Sequence, residues 1–132
     1  MKNKKKLPNK IPVFPLSNFI IFPSTTVPLN IFEPRYIEMI DDAMKGSRVI
    51  GLVQPKKSNN TNKPELYNVG CVGKITNFNE TEDGRYLIAL KGLSRFKIIS
   101  EISNKKKYRE CEVSFDEFES DIFTSNDKTK FT

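Results

Sequence analysis

Short apolar runs, alternating or continuous and broken by proline, glycine and polar loops, recur along this chain and predict strands. Ile11-Pro12-Val13-Phe14-Pro15-Leu16 interleaves apolar residues with prolines. Proline donates no backbone hydrogen bond, so this is expected to be a first or edge strand, not a central one. Asn18 to Ser24 is a connection that nevertheless carries Phe19, Ile20, Ile21 and Phe22, and Thr25 to Phe32 is a second strand mildly broken by Pro28. From Pro34 to Lys45 the period changes. Tyr36, Ile37, Ile40, Ala43 and Met44 repeat at three- and four-residue steps, which predicts a helix with one apolar stripe, opened by Pro34 and ended by Gly46 in a left-handed turn. Arg48 to Gln54 reads as a short strand buried on both faces, and Pro55 to Asn68 as a loop too polar to pack. Val69 to Phe78, with Gly70 and Gly73 marking a bulge or close approach, leads through the hairpin turn Thr81-Glu82-Asp83-Gly84 into a returning strand, Arg85 to Lys91. Gly92-Leu93-Ser94 makes a corner before Arg95 to Ile102, and Tyr108 to Phe115 is the last strand. Six or seven short strands with one helix inserted early predict a mostly β fold: a closed or partly closed, strongly bent antiparallel sheet, with the helix over one opening.

Charge changes this picture less than its size suggests. The net charge is +6, but Lys2, Lys4, Lys5, Lys6 and Lys10 supply five of those charges in a stretch without an acid, leaving +1 for residues 11–132. Residues 1–10 therefore read as a basic disordered tail. Lys105, Lys106, Lys107 and Arg109 lie beside Glu110, Glu112, Asp116, Glu117, Glu119 and Asp121, the pattern of a solvated face. No apolar run reaches the roughly 18–20 residues of a membrane span. Pro12, Pro15 and Asn18 interrupt any signal-peptide core, so a cytoplasmic chain with no membrane partner is expected. Cys71 and Cys111 sit among apolar neighbours and read as reduced core residues.

With no histidine, no Ser-His-Asp or Cys-His arrangement can be built, and two cysteines alone make no structural zinc site. Asp41-Asp42 falls on the polar side of the helix and needs no catalytic explanation. Gly70-Cys71-Val72-Gly73-Lys74 imitates a phosphate loop, but Asn68 and Ile75 stand where that motif needs glycine and a hydroxyl residue. No catalytic residue, metal or cofactor is expected.

Three segments together resemble one family. They are Ile11-Pro12-Val13-Phe14-Pro15-Leu16 leading through Phe22-Pro23 to Val27-Pro28-Leu29-Asn30-Ile31-Phe32-Glu33-Pro34-Arg35-Tyr36; Val69-Gly70-Cys71-Val72-Gly73-Lys74-Ile75; and Asp83-Gly84-Arg85-Tyr86 with Lys91-Gly92-Leu93-Ser94-Arg95-Phe96-Lys97-Ile98. Their order and spacing are similar to the N-terminal domain of Lon proteases, particularly its small stand-alone bacterial form, over residues 11–121. The resemblance implies a PUA-like β-barrel with an inserted helix, which recognises protein substrates and does not cut them. It departs from the family at Ser24, where glycine is usual after Phe-Pro, and the C-terminal helical bundle is expected to be missing, with residues 122–132 a polar tail or the stub of that segment. The ATPase and the Ser-Lys peptidase of full Lon enzymes lie in other domains, so no enzymatic activity is expected.

The expected function is a non-catalytic module that binds unfolded or degradation-bound polypeptides, with a protease or chaperone as a second kind of partner. The alternative is an RNA-binding module, since PUA-like barrels also occur in RNA-binding proteins; the body lacks a basic stripe interleaved with aromatics, which disfavours it. Candidate substrate-binding residues are Phe19, Ile20, Ile21 and Phe22, which either plug the barrel or leave an apolar patch open, together with Glu33 and Arg35 at the helix start and Arg95 in the Ser-Arg-Phe corner. Without the bundle, more apolar surface is expected to be exposed and the chain to self-associate at high concentration.

Overall fold

A computed structural model of the chain describes residues 7–17, 21–56 and 64–122. Its elements are β1 (Lys10–Pro15), β2 (Thr26–Ile31), α1 (Pro34–Lys45), β3 (Val49–Val53), β4 (Val69–Glu80), β5 (Tyr86–Ile102) and β6 (Arg109–Ser114). A 3-10 turn at Asp116–Phe118 and the short α2 (Glu119–Ile122) follow. The strands run in the order β2-β5-β4-β3-β1-β6, and β5 also pairs with β6. That last pairing closes β5, β4, β3, β1 and β6 into a ring, with β2 attached outside it to the first half of β5. The fold is mostly β with one inserted helix, a bent barrel as expected, although β1 and β3 run parallel (Val13 opposite Gly51). No helix among the described residues is long and apolar enough to cross a membrane.

β3 explains why the sequence reads as it does here. All five of its residues are buried because each face meets a different core. Val49 and Val53 join Ile11, Val13, Val72, Phe96, Cys111 and Val113 in a cluster drawn from every strand of the ring. Ile50 and Leu52 face the other way, into a cluster with Met39, Ile40 and Ala43 of α1 and Ile75, Ile88 and Leu90 of the sheet. Burial on both faces gives a continuous apolar run instead of alternation. The helix thus packs on the face of β3 opposite the ring interior.

Three expectations are corrected. β1 lies between β3 and β6 and is a central strand despite its prolines. Val113 N–H donates to Asn9 O at 2.8 Å, which makes Ile11–Cys111 and Val13–Arg109 the hydrogen-bonded pairs and leaves Pro12 in a non-hydrogen-bonded one. Pro15 lies beyond the last residue paired with β6, and the nitrogen of Pro12 is turned to the β3 side, where pairing begins only at Val13, so each proline sits just past the end of a ladder. The corner at Gly92-Leu93-Ser94 is no break: β5 is one strand of 17 residues, and the sheet bends because its register with β4 shifts between Val72 and Gly73. Gly46 does end α1, but with φ −119°; the left-handed residue there is Arg48, with φ 64°.

At the ends of the barrel, Leu7 packs against the ring core and Lys10 pairs with Glu112, so strand pairing begins inside the stretch read as basic tail. Leu66 packs there too, and Pro55 bridges it, so the ends of the polar loop are tied down.

Candidate functional site

The connection read as apolar divides at Ile21. Ile21 is buried in the helix-side core, whereas Phe22 stands 60% exposed. Phe19 and Ile20 lie outside the described residues. Phe22 opens a tight turn: Thr25 N–H donates to Phe22 O at 3.0 Å, with Pro23 and Ser24 between and Ser24 at φ 77°. Proline second and a positive φ third are the geometry of a type II turn. Thr25 Oγ1 donates to Phe22 O and accepts from Phe22 N–H, both at 2.8 Å. The turn is clamped to β5, since Ser24 N–H donates to Gly92 O at 2.8 Å and a Cβ at Gly92 would lie 2.3 Å from Phe22 O. Only glycine admits that approach. The exposed ring therefore rides on a rigid turn.

β2 continues from this turn as the outermost strand, and Phe32, 63% exposed, follows its last residue. Six residues of strand span about 20 Å. Leu87, 43% exposed, lies opposite Asn30 on the neighbouring strand. Two aromatic side chains thus flank an outer strand with a leucine beside it.

Glu33 and Arg35 come together at the start of α1, in a cleft of about 300 Å³ that Tyr36, Arg109, Pro15 and Pro64 also line. Arg35 Nε donates to Glu33 Oε1 at 3.2 Å, and its guanidinium lies over the Tyr36 ring, 4.8 Å from the centroid. Arg109 is held on three sides: Nε and Nη2 grip the Glu101 carboxylate at 3.0 and 2.9 Å, and Nη1 donates to Pro64 O at 2.8 Å. Burial pushes the Tyr36 hydroxyl above its usual range, while Arg35 and Arg109 pull it down. Sequence reasoning placed Arg109 with the lysine cluster; its partners come from eight residues upstream and from a distant loop, which no local pattern reveals.

Arg95 lies elsewhere. Its Nε and Nη2 donate to the two oxygens of Asp121 at 2.9 and 3.0 Å, its backbone N–H donates to the same carboxylate, and its guanidinium stacks on Phe118. Asp121 is buried, and Arg95 holds its carboxyl below the usual range. The pair pins α2 to β5. Asp41 and Asp42 are likewise occupied, accepting from Tyr86 Oη (2.7 Å) and Tyr108 Oη (2.6 Å) and so latching α1 to the sheet. Cys71 and Cys111 are free, buried thiols, both pushed up to about 11, chiefly by burial, which keeps them protonated and inert near neutrality. Among the described residues no cluster of acids and cysteines could hold a metal.

Comparison with known proteins places this geometry. The model of the ATP-dependent protease La (LON) substrate-binding domain matches residues 10–130. The Lon protease of Flavobacterium johnsoniae is 29% identical over 105 residues, which are 78% of this chain and 13% of that protein. Lon protease 2 of Sorangium cellulosum is 31% identical over 98 residues, 72% of this chain and 12% of that protein. The chain therefore spans about an eighth of the length of these relatives. Among solved structures, the Lon N-terminal domain protein from Xanthomonas campestris superposes with a TM-score of 0.64 at 24% identity, over 80% of this chain and 59% of that one. The N-terminal domain of Mycobacterium avium complex Lon protease gives 0.59 at 19%, over 80% and 54%. The RNA-binding alternative finds no support in these relatives.

Proposed function

We propose, from the premise that this chain belongs to the family of ATP-dependent protease La (LON) substrate-binding domains, that it captures unfolded or degradation-bound polypeptides through the Phe22 turn and the outer strand β2. The family supports a substrate-recognition role, and the match is to the substrate-binding domain, not to the protease or ATPase domains. The observation that carries the finer reading is Phe22, 60% exposed on a turn whose backbone is fixed against Gly92. An aromatic ring held rigidly in solvent loses little entropy on binding, and apolar contact discriminates little by sequence, which suits unfolded chains. A protease or chaperone that receives the captured chain, and a cytoplasmic setting for the two reduced thiols, complete this reading.

Phe22→Ser tests it. The side chain is mostly in water, so the variant should fold with stability changed by no more than about 0.5 kcal/mol. Its affinity for unfolded casein should drop severalfold, measured at a concentration where sedimentation finds monomer, because the same patch is expected to drive self-association at higher concentration. A variant that folds normally and binds casein as well as the parent refutes the reading.

A further inference from the structure

The cleft at the start of α1 holds donors that nothing in the fold uses. Tyr36, which lines the cleft, is only 7% exposed, and its hydroxyl makes no hydrogen bond among the described residues. Arg35 spends its Nε on Glu33, while Nη1 and Nη2 have no partner among those residues. A guanidinium presents two bidentate edges, so the edge away from Glu33 remains free. The backbone contributes as well. Glu33 makes no side-chain cap, and Glu33 O takes the Tyr36 and Ile37 amides, which leaves the Arg35 N–H as the orphan donor of the first turn. Beneath these groups Arg109 is fixed by Glu101 and Pro64 O, and Pro15, Pro55 and Pro64 give the walls little freedom to collapse. The first turn of the helix carries no acidic residue to fill the place of an anion.

The hydroxyl of a buried tyrosine, a free guanidinium edge and an uncapped helix amide, on residues lining a cleft at the lower end of small-ligand volumes, match a planar anion with two oxygens. We infer that this cleft binds a carboxylate presented by an extended polypeptide, with Arg35 gripping both oxygens and the Tyr36 hydroxyl donating to one of them. The carboxylate is either the C-terminal group of the chain or an aspartate or glutamate side chain. The inference rests on the polypeptide-binding reading and deepens it: Phe32, exposed immediately before Glu33, lies next to the cleft in the chain and carries the apolar contact to its edge. Glu33 sets the affinity. Its carboxylate competes for the same guanidinium, so occupancy is a balance between an internal and an external anion.

The test is a titration of the whole chain, followed by nitrogen–proton resonances of the Arg35 amide and its Nε–H. N-acetylalanine presents a terminal carboxylate, N-acetylaspartate amidated at its α-carboxyl alone presents a side-chain one, and N-acetylalanine amide presents neither. Saturable shifts at Arg35 are expected with one or both carboxylates and not with the amide; whichever carboxylate binds more tightly identifies the source. Arg35→Gln should weaken that binding about tenfold or more, Tyr36→Phe should weaken it less, and Glu33→Gln should tighten it. Casein capture separates the two ideas, since Phe22→Ser impairs it while leaving the carboxylate titration unchanged. Equal shifts with carboxylate and amide, no saturable shift at Arg35, or binding that survives Arg35→Gln would each overturn the inference even if casein is captured.

Discussion

Ser24 holds φ at 77°, in the left-handed region that costs a β-carbon roughly 1 kcal/mol and costs glycine nothing. The type II turn demands that angle at its third residue, which gives a physical reason to expect glycine at this position. Ser24→Gly should therefore raise stability by about 1 kcal/mol in urea unfolding, less the entropy glycine adds to the unfolded chain. Ser24→Val should lower it by more than Ser24→Gly raises it. If both variants leave the unfolding midpoint unchanged, the turn is not strained and Phe22 is less rigidly mounted than the geometry implies. Arg95 shows the opposite relation between residue and sequence. A basic side chain in a corner reads as a free hand, yet its partner Asp121 lies 26 residues on, where no local pattern links the two.

The helix was the most legible element. Pro34 at its start and a repeat of three and four residues leave no alternative period, and its bounds match. What the sequence could not show is how it is fastened, because each fastening joins it to a strand far along the chain. Asp41 reaches Tyr86 and Asp42 reaches Tyr108. The hydrogen bond to Asp41 and then burial push the Tyr86 phenol up to about 12, and burial followed by the bond to Asp42 raises Tyr108 as well. A raised phenol favours the folded state while it stays protonated. This contribution is complete below the ordinary value of 10 and fades as pH rises through the folded values, so the latch should weaken from pH 10 to 12 and above. Asp42→Ala leaves the Tyr108 side chain, 3% exposed, without its acceptor and should cost about 1–3 kcal/mol at neutral pH in thermal or urea unfolding. It should also shrink the alkaline loss. An alkaline profile identical to the parent's would show that Tyr108 is not held by Asp42.

At the scale of the whole molecule, the sequence showed the class but not the closure. Six strands and a helix follow from local patterns, whereas the order of the strands depends on partners about a hundred residues apart, as with Lys10 and Glu112. That distance also hid the central place of β1. Prolines exclude a central strand only where their missing donors fall inside a ladder, and here each falls just past the end of one. The candidate site was partly legible: their place at the helix start singled out Glu33 and Arg35, while Tyr36 and Arg109 needed the fold to bring them there. The N-terminal boundary can be measured. The sequence alone expects residues 1–10 to be dispensable, but Leu7 packs on the ring core and Asn9 O accepts from Val113. Deleting residues 1–10 should lower the melting midpoint by about 5–10 °C relative to deleting 1–6; equal midpoints would show that those contacts carry no stability. The ring that β1 completes also sets a clock. In synthesis from the N-terminus Lys10–Pro15 emerges before the other strands of the ring and Arg109–Ser114 after them, and at roughly 5–20 residues per second β1 waits about 5–20 s for β6. Until then the barrel is an open sheet with its apolar inner face uncovered. A protein proposed to capture unfolded chains thus begins as one of them, and the joining of β1 to β6 ends that vulnerable interval.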